Sequence, residues 1–136
     1  MKHINIILFT ILSFGIIHAQ NTLPLVEVKG YLNIYRFPTD SSLFIGMGAG
    51  AVDDGTDNEN QFMGILAGYN NTIGTDNLFV GMQAGFQNIS GTDNVFVGRA
   101  AGEQNTLGSD NTFVGRSAGR LNTIGINNTF FGRSAG

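Results

Sequence analysis

The chain has 136 residues, of which 12% are charged, with a formal net charge of −3, twenty glycines, no cysteine and no tryptophan. That length holds one domain, and the mild negative charge leaves no footprint for nucleic acid or another polyanion. Without cysteine there are no disulfides and no thiolate metal site.

Residues 1–20 are expected to be a secretory signal peptide. Lys2 and His3 form a short basic start, and Ile6 to Ile17 an apolar run broken only by Thr10, Ser13 and Gly15. The run is too short to cross a bilayer comfortably, so no stable membrane span is expected after cleavage. The stretch "IIHAQN" offers Ala19 as the cleavage point. Both histidines, His3 and His18, leave with this segment. The mature chain then lacks the usual general base, nucleophile pairs and zinc ligands. The expected location is secreted or at a bacterial cell surface.

Residues 21–41 are expected to form an N-terminal strand or cap. Val26, Val28, Leu32 and Ile34 share one face of an extended segment; Glu27, Lys29, Tyr31, Asn33 and Tyr35 share the other. Gly30 would be a bulge, and "FPTDSS" a closing turn.

From residue 42 to 136 the chain repeats itself. Phe79-Val80-Gly81, Phe96-Val97-Gly98, Phe113-Val114-Gly115 and Phe130-Phe131-Gly132 lie 17 residues apart. Ala84-Gly85, Ala101-Gly102, Ala118-Gly119 and Ala135-Gly136 keep the same interval, as do Asn77, Asn94, Asn111 and Asn128. "NQFMGILAG", with Asn60 and Phe62, fits at 17, and "SLFIGMGAG" at 18. A second phrase, N-T-x-G, recurs at 71–74, 105–108 and 122–125, with "NISG" at 88–91. Six copies result, the last ending at Gly136. The array is therefore expected either to belong to a longer chain or to have its last strand edge covered by an oligomeric partner.

Each copy reads as strand, corner, short strand, corner. N-x-F-V is short, apolar and β-prone. The glycines mark bends, and "GTDN" is turn chemistry. One copy could not fold alone. Fixing its backbone costs roughly 1–2 kcal/mol per residue. Its few large apolar side chains return only about 1.5–3 kcal/mol each. Stacked copies, paired strand to strand about 4.8 Å apart, would stabilise one another. The expected fold is all-β: a β-solenoid or β-roll-like stack of 17-residue repeats, or a trimeric β-fibre. Phe62, Phe79, Phe96, Phe113 and Phe130 would form one structural ladder, and Asn60, Asn77, Asn94, Asn111 and Asn128 another.

The phrase N-T-F-V-G-x-x-A-G-x-x-N-T-x-G-x-x-N resembles those of secreted bacterial proteins that carry a tail-fibre domain. More distantly, it is similar to the head repeats of trimeric autotransporter adhesins. The resemblance covers residues 42–136. It implies an elongated β-structured fibre, often trimeric, at a cell surface or on a phage tail.

Other readings of single motifs are weaker. "LFIGMGAG" (43–50) looks like a strand feeding a phosphate loop, but Gly46 and Gly50 hold ordinary repeat positions, no helical pattern follows, and no cofactor is expected. Asp57, Asp76, Asp93 and Asp110 precede the asparagines and suggest a calcium-stabilised roll. Carboxylates one coil apart repel by roughly 1 kcal/mol in water, so solvent-facing turns are the preferred reading. Arg99, Arg116 and Arg133 recur without interleaved aromatics, which argues against nucleic acid. Thr72, Thr106 and Thr123 hint at an ice-binding face, but Ile89 interrupts them. Asp53, Asp54 and Asp57, in the one irregular copy, would be the paired carboxylates of a polysaccharide-acting β-helix enzyme. The preferred expectation is a non-catalytic structural or adhesive repeat protein. It would self-associate, perform as a fibre shaft or head segment, and meet a cell-surface or glycan ligand through multivalent contacts.

Overall fold

The computed structural model describes residues 41–56 and 58–136. The expected signal peptide, the expected N-terminal strand up to residue 40, and Asp57 lie outside the described residues.

The array is an all-β solenoid without helices among the described residues. Each copy contributes one three-residue strand: β1 (Leu43–Ile45), β2 (Gln61–Met63), β3 (Leu78–Val80), β4 (Val95–Val97), β5 (Thr112–Val114) and β6 (Thr129–Phe131). All six pair in parallel in chain order, β1 to β6. The register places phenylalanine on phenylalanine throughout: Phe44 on Phe62, then Phe79, Phe96, Phe113 and Phe130. Side chains alternate across a strand. The central phenylalanine of each strand therefore turns inward, and its two neighbours face out.

A strand this short must give way to bends, and the backbone shows where. In the coil 94–110, Gly98 (φ 135°), Ala100 (φ 58°), Gly102 (φ 57°) and Asp110 (φ 58°) all have positive φ. The non-glycine cases recur at the coil interval in two series, Leu66, Gln83, Ala100, Ser117 and Ser134, and Glu59, Asp76, Asp93, Asp110 and Asn127. Each costs roughly 1–2 kcal/mol in isolation. Stacking offsets the cost, because each bend is hydrogen-bonded to the same bend in the next coil. Ala100 N donates to Met82 O (2.9 Å) and Ser117 N to Arg99 O (2.9 Å).

Two glycines show different reasons for the same letter. Gly102 has left-handed backbone, and a Cβ there would also enter the ring of Phe96. Gly108 has no such φ; a Cβ there would meet the Asn105 side-chain oxygen and the carbonyl of Gly125 in the next coil. Bend geometry explains the first glycine, close approach of coils the second.

The second short strand expected in each copy is not formed. Residues of the N-T-x-G phrase run through bends, and Ile89 N (2.9 Å) and Ser90 N (3.3 Å) both donate to Thr106 O. Two consecutive N–H groups aimed at one carbonyl cannot belong to an extended strand, whose N–H groups alternate sides.

The extra residue of the first copy is also located. Val52 N donates to Tyr69 O (3.2 Å), as Asn70 N does to Phe86 O (3.1 Å). Asp76 N donates to Asn58 O (2.9 Å), as Asp93 N does to Thr75 O (3.1 Å). Five residues thus separate Val52 from Asn58 along the chain where four separate Asn70 from Thr75.

Candidate functional surface

The interior consists of stacked identical side chains. Rings from Phe44 to Phe130 stack with centroids 5.1, 4.7, 4.9, 4.8 and 5.0 Å apart and interplanar angles of 19° or less. Phe62, Phe79, Phe96 and Phe113 are fully buried, and Ala67, Ala84, Ala101 and Ala118 pack beside them. Phe44 and Phe130, at the two ends, are only partly covered.

Asn60, Asn77, Asn94, Asn111 and Asn128 form a second column. In each step the Oδ1 of one asparagine accepts from both the backbone N–H and the Nδ2 of the next. For Asn94 and Asn111 these bonds are 3.1 and 3.2 Å. The remaining Nδ2 proton of Asn94 goes to Gly108 O at 2.8 Å. A column of asparagine can do this because its amide is donor and acceptor at once.

Sequence reasoning did not assign the other polar column, the buried Asn71, Asn88 and Asn105 and the half-buried Asn122. Its signal was present in the recurring N-T-x-G phrase. Asn88 Nδ2 donates to Asn71 Oδ1 (2.6 Å), Asn105 Nδ2 to Asn88 Oδ1 (2.9 Å), and Asn122 Nδ2 to Asn105 Oδ1 (2.8 Å). The two columns meet on the glycine carbonyls. Gly91 O accepts from Asn77 Nδ2 (2.8 Å) and Asn88 Nδ2 (2.9 Å), and Gly108 O accepts from Asn94 and Asn105, both at 2.8 Å. Both lone pairs of each carbonyl are thereby occupied. No buried side-chain polar atom among the described residues lacks a partner. The most regular letters of the repeat therefore serve architecture, and chemistry toward other molecules falls to the exposed columns.

One exposed column carries acids. The register makes Glu59, with φ 53°, the counterpart of Asp76, Asp93 and Asp110. All four are exposed. The aspartate expected to head this column, Asp57, is outside the described residues, and the hydrogen-bond register starts the column at Glu59. Asp53 and Asp54 lie in the irregular turn and bond their own surroundings. Asp53 Oδ1 accepts from Gly55 N (2.9 Å), and Asp54 Oδ1 from Thr56 N (3.0 Å), Thr56 Oγ1 (2.7 Å) and Asn58 Nδ2 (3.2 Å). The Thr56 hydroxyl first, then its N–H and the Asn58 amide, hold the Asp54 carboxyl below the usual carboxylate range. Among the described residues, no three acidic, histidine or cysteine side chains converge as a metal cluster would require.

A second column changes chemistry along the array. Tyr69 and Phe86 stack at 5.5 Å, and two coils on, the same positions hold Glu103 and Arg120, with Arg120 Nε donating to Glu103 Oε2 at 2.5 Å. A third column runs Met47, Ile65, Met82 and then Arg99, Arg116 and Arg133. A groove of about 190 Å³ opens between the arginine and Glu103–Arg120 columns, reaching Gln83 and Ser117. On another flank a shallow apolar groove of about 300 Å³ is lined by Val52, Asn70, Thr72, Gln87, Ile89 and Thr106. There the hydroxyls of Thr72 and Thr106 donate to Ile89 O and Thr123 O, each at 3.0 Å, so they bond the next coil. One row of the outward sheet face is apolar, with Ile45, Met63 and Phe131 exposed and Val80, Val97 and Val114 half-buried, while the other row sets Gln61, Thr112 and Thr129 among Leu43, Leu78 and Val95. The glycine-rich stretch after β1 enters bends and no helix, and Gly46 and Gly50 take the same positive φ as their counterparts Gly64 and Gly68.

No helix among the described residues is long and apolar enough to cross a membrane. Set against known proteins, the chain matches no family model, no curated protein and no solved structure.

Proposed function

We propose that the array is a segment of a secreted, non-catalytic surface fibre of tail-fibre or adhesin type, a shaft or head piece that self-associates and meets its target through repeated weak contacts. One observation carries this reading. Every recurrent interior position is used to join coil to coil, so side chains on the outside recur at the coil spacing of about 4.8 Å. Such a surface suits multivalent binding, where many weak contacts add up. The apolar row of the outward sheet face, Ile45 to Phe131, supports self-association, because contiguous apolar surface marks an interaction site. A β-solenoid by itself is also compatible with enzymes, so the experiment must address activity as well as location.

The test uses three readouts on the full chain. Fractionation and surface proteolysis of the producing cell should find it outside the cytoplasm. Beads coated with it should be retained under flow on cell or glycan surfaces better than albumin-coated beads. Incubation with polysaccharides should release no reducing ends. A cytoplasmic chain, retention no better than albumin, or steady release of reducing ends would each defeat the proposal.

A further inference from the structure

The arginine column stands out from the rest of the surface. Arg99, Arg116 and Arg133 occupy the place that Met47, Ile65 and Met82 occupy in the first three copies. Their backbones are tied coil to coil, Ser117 N donating to Arg99 O and Ser134 N to Arg116 O, each at 2.9 Å. All three side chains are exposed, and among the described residues none has a carboxylate partner. Like charges held one coil apart repel. The neighbouring column shows that the array does pair charges across coils when an acid is present, since Arg120 is bonded to Glu103. Asp93 and Asp110 lie six positions earlier in their coils than Arg99 and Arg116, on the far side of the strand. The polar groove joins Arg99, Arg116 and Arg120 with the uncharged donors and acceptors of Gln83 and Ser117, and the one carboxylate in its lining, Glu103, is engaged by Arg120.

We infer that this groove binds an acidic polysaccharide, a sugar chain bearing carboxylate or sulfate groups and running along the array across copies three to five. The guanidinium forks fit planar or tetrahedral oxyanions, and Gln83 and Ser117 fit sugar hydroxyls. A ligand with charges spaced along its length matches a site whose charges repeat along the coil axis; a single small anion does not use the repetition. Nucleic acid is disfavoured because no aromatic ring lines the groove to stack a base. The inference deepens the adhesive reading, which it takes as its biological setting.

Titration calorimetry on the full chain tests it at low salt. The probes are an oligogalacturonate for carboxylate, a sulfated glycosaminoglycan oligomer for sulfate, neutral dextran, inorganic sulfate and single-stranded DNA. At least one acidic oligomer should bind saturably and weaken as salt rises. The Arg99→Gln/Arg116→Gln double variant should lose at least tenfold in affinity, with the thermal midpoint kept because both side chains are exposed. Met82→Arg, which extends the column by one coil, should bind severalfold more tightly. Dextran binding as tightly as the acidic oligomers, or a double variant of unchanged affinity, would overturn the inference. So would inorganic sulfate matching the oligomers, which would mean an isolated anion pocket, or DNA binding more tightly than either, which would mean a nucleic-acid surface. If beads of the double variant adhere like wild type, the groove falls while the adhesive reading stands. If oligomers bind but wild-type beads do not adhere, the adhesive reading falls and the groove stands.

Discussion

Replacing Asn94 and Asn88 by alanine separates the two polar columns. Asn94 makes four side-chain bonds: Nδ2 to Asn77 Oδ1 (3.1 Å) and Gly108 O (2.8 Å), and Oδ1 from Asn111 N (3.1 Å) and Asn111 Nδ2 (3.2 Å). In Asn94→Ala, three of the partners keep another bond. Asn77 Oδ1 retains the backbone N–H of residue 94, Gly108 O retains Asn105, and Asn111 Nδ2 retains Gly125 O. The fourth, the backbone N–H of fully buried Asn111, has no substitute. An orphaned buried N–H costs about 1–3 kcal/mol, and the other lost bonds bring the total to about 3–5 kcal/mol. Asn88 makes three side-chain bonds, to Asn71 Oδ1, to Gly91 O and from Asn105 Nδ2. Its loss strands no backbone group, because Gly91 O keeps Asn77 and Asn105 keeps Gly108 O, but it leaves the buried Asn71 Oδ1 without its donor. A stranded amide oxygen is tolerated better than a stranded backbone N–H, and one bond fewer is lost, so Asn88→Ala should cost less than Asn94→Ala, about 2–4 kcal/mol. Urea denaturation of the two variants, followed by circular dichroism, measures the difference at equal m. Equal losses, or a larger loss for Asn88→Ala, would refute the reasoning that backbone satisfaction sets the rank.

Gly108→Ala distinguishes crowding from backbone freedom. An ordinary φ alone would let the alanine stabilise by about 0.4–1 kcal/mol. Contact with Asn105 and the Gly125 carbonyl should instead lower the thermal midpoint, and a raised midpoint would mean the coils are less closely stacked. Phe96→Ala, with a ring neighbour on each side at 4.9 and 4.8 Å, should cost about 3–5 kcal/mol by urea titration. Phe130→Ala, stacked on one side and half-buried, should cost clearly less, and equal costs would contradict the end effect. For Asp54 the folded carboxyl titrates below its ordinary value. Its stabilisation is thus present above the ordinary carboxylate range and is lost as pH falls through the depressed value. The midpoint difference between wild type and Asp54→Asn should shrink on acidification, and a difference that grew would reverse the sign.

Periodicity made the stack legible. Phenylalanine every 17 residues can be buried in every copy only if equivalent positions lie over one another. The Asn77 to Asn128 column followed the same logic, and the Asn71 to Asn122 column could have been read from N-T-x-G in the same way. Other features were hidden because their cause is backbone geometry. Ala100 and Ser117 adopt positive φ, yet nothing in those letters announces it, and the N-T-x-G phrase, where a second short strand is expected, bends so that Ile89 N and Ser90 N share one acceptor. The head of the acid column is hidden because "GTDN" at 55–58 repeats the later "GTDN" motifs while lying two positions ahead of their register. Hydrogen bonds from Asp76 to Asn58 restore Glu59 to that place. The charged groove depends on which columns become neighbours around a coil, and spacing along the chain does not determine that.

The most direct test of the stacked-coil account is the pattern of ring contacts among the phenylalanines, measured by nuclear Overhauser spectroscopy on a chain with selectively labelled rings. Neighbours 17 apart lie 4.7–5.0 Å from centroid to centroid from Phe62 onward. The account predicts an unbranched series of cross-peaks, Phe62 to Phe79 to Phe96 to Phe113 to Phe130, with none between rings two coils apart. A cross-peak between Phe79 and Phe113, or silence between Phe79 and Phe96, would contradict it.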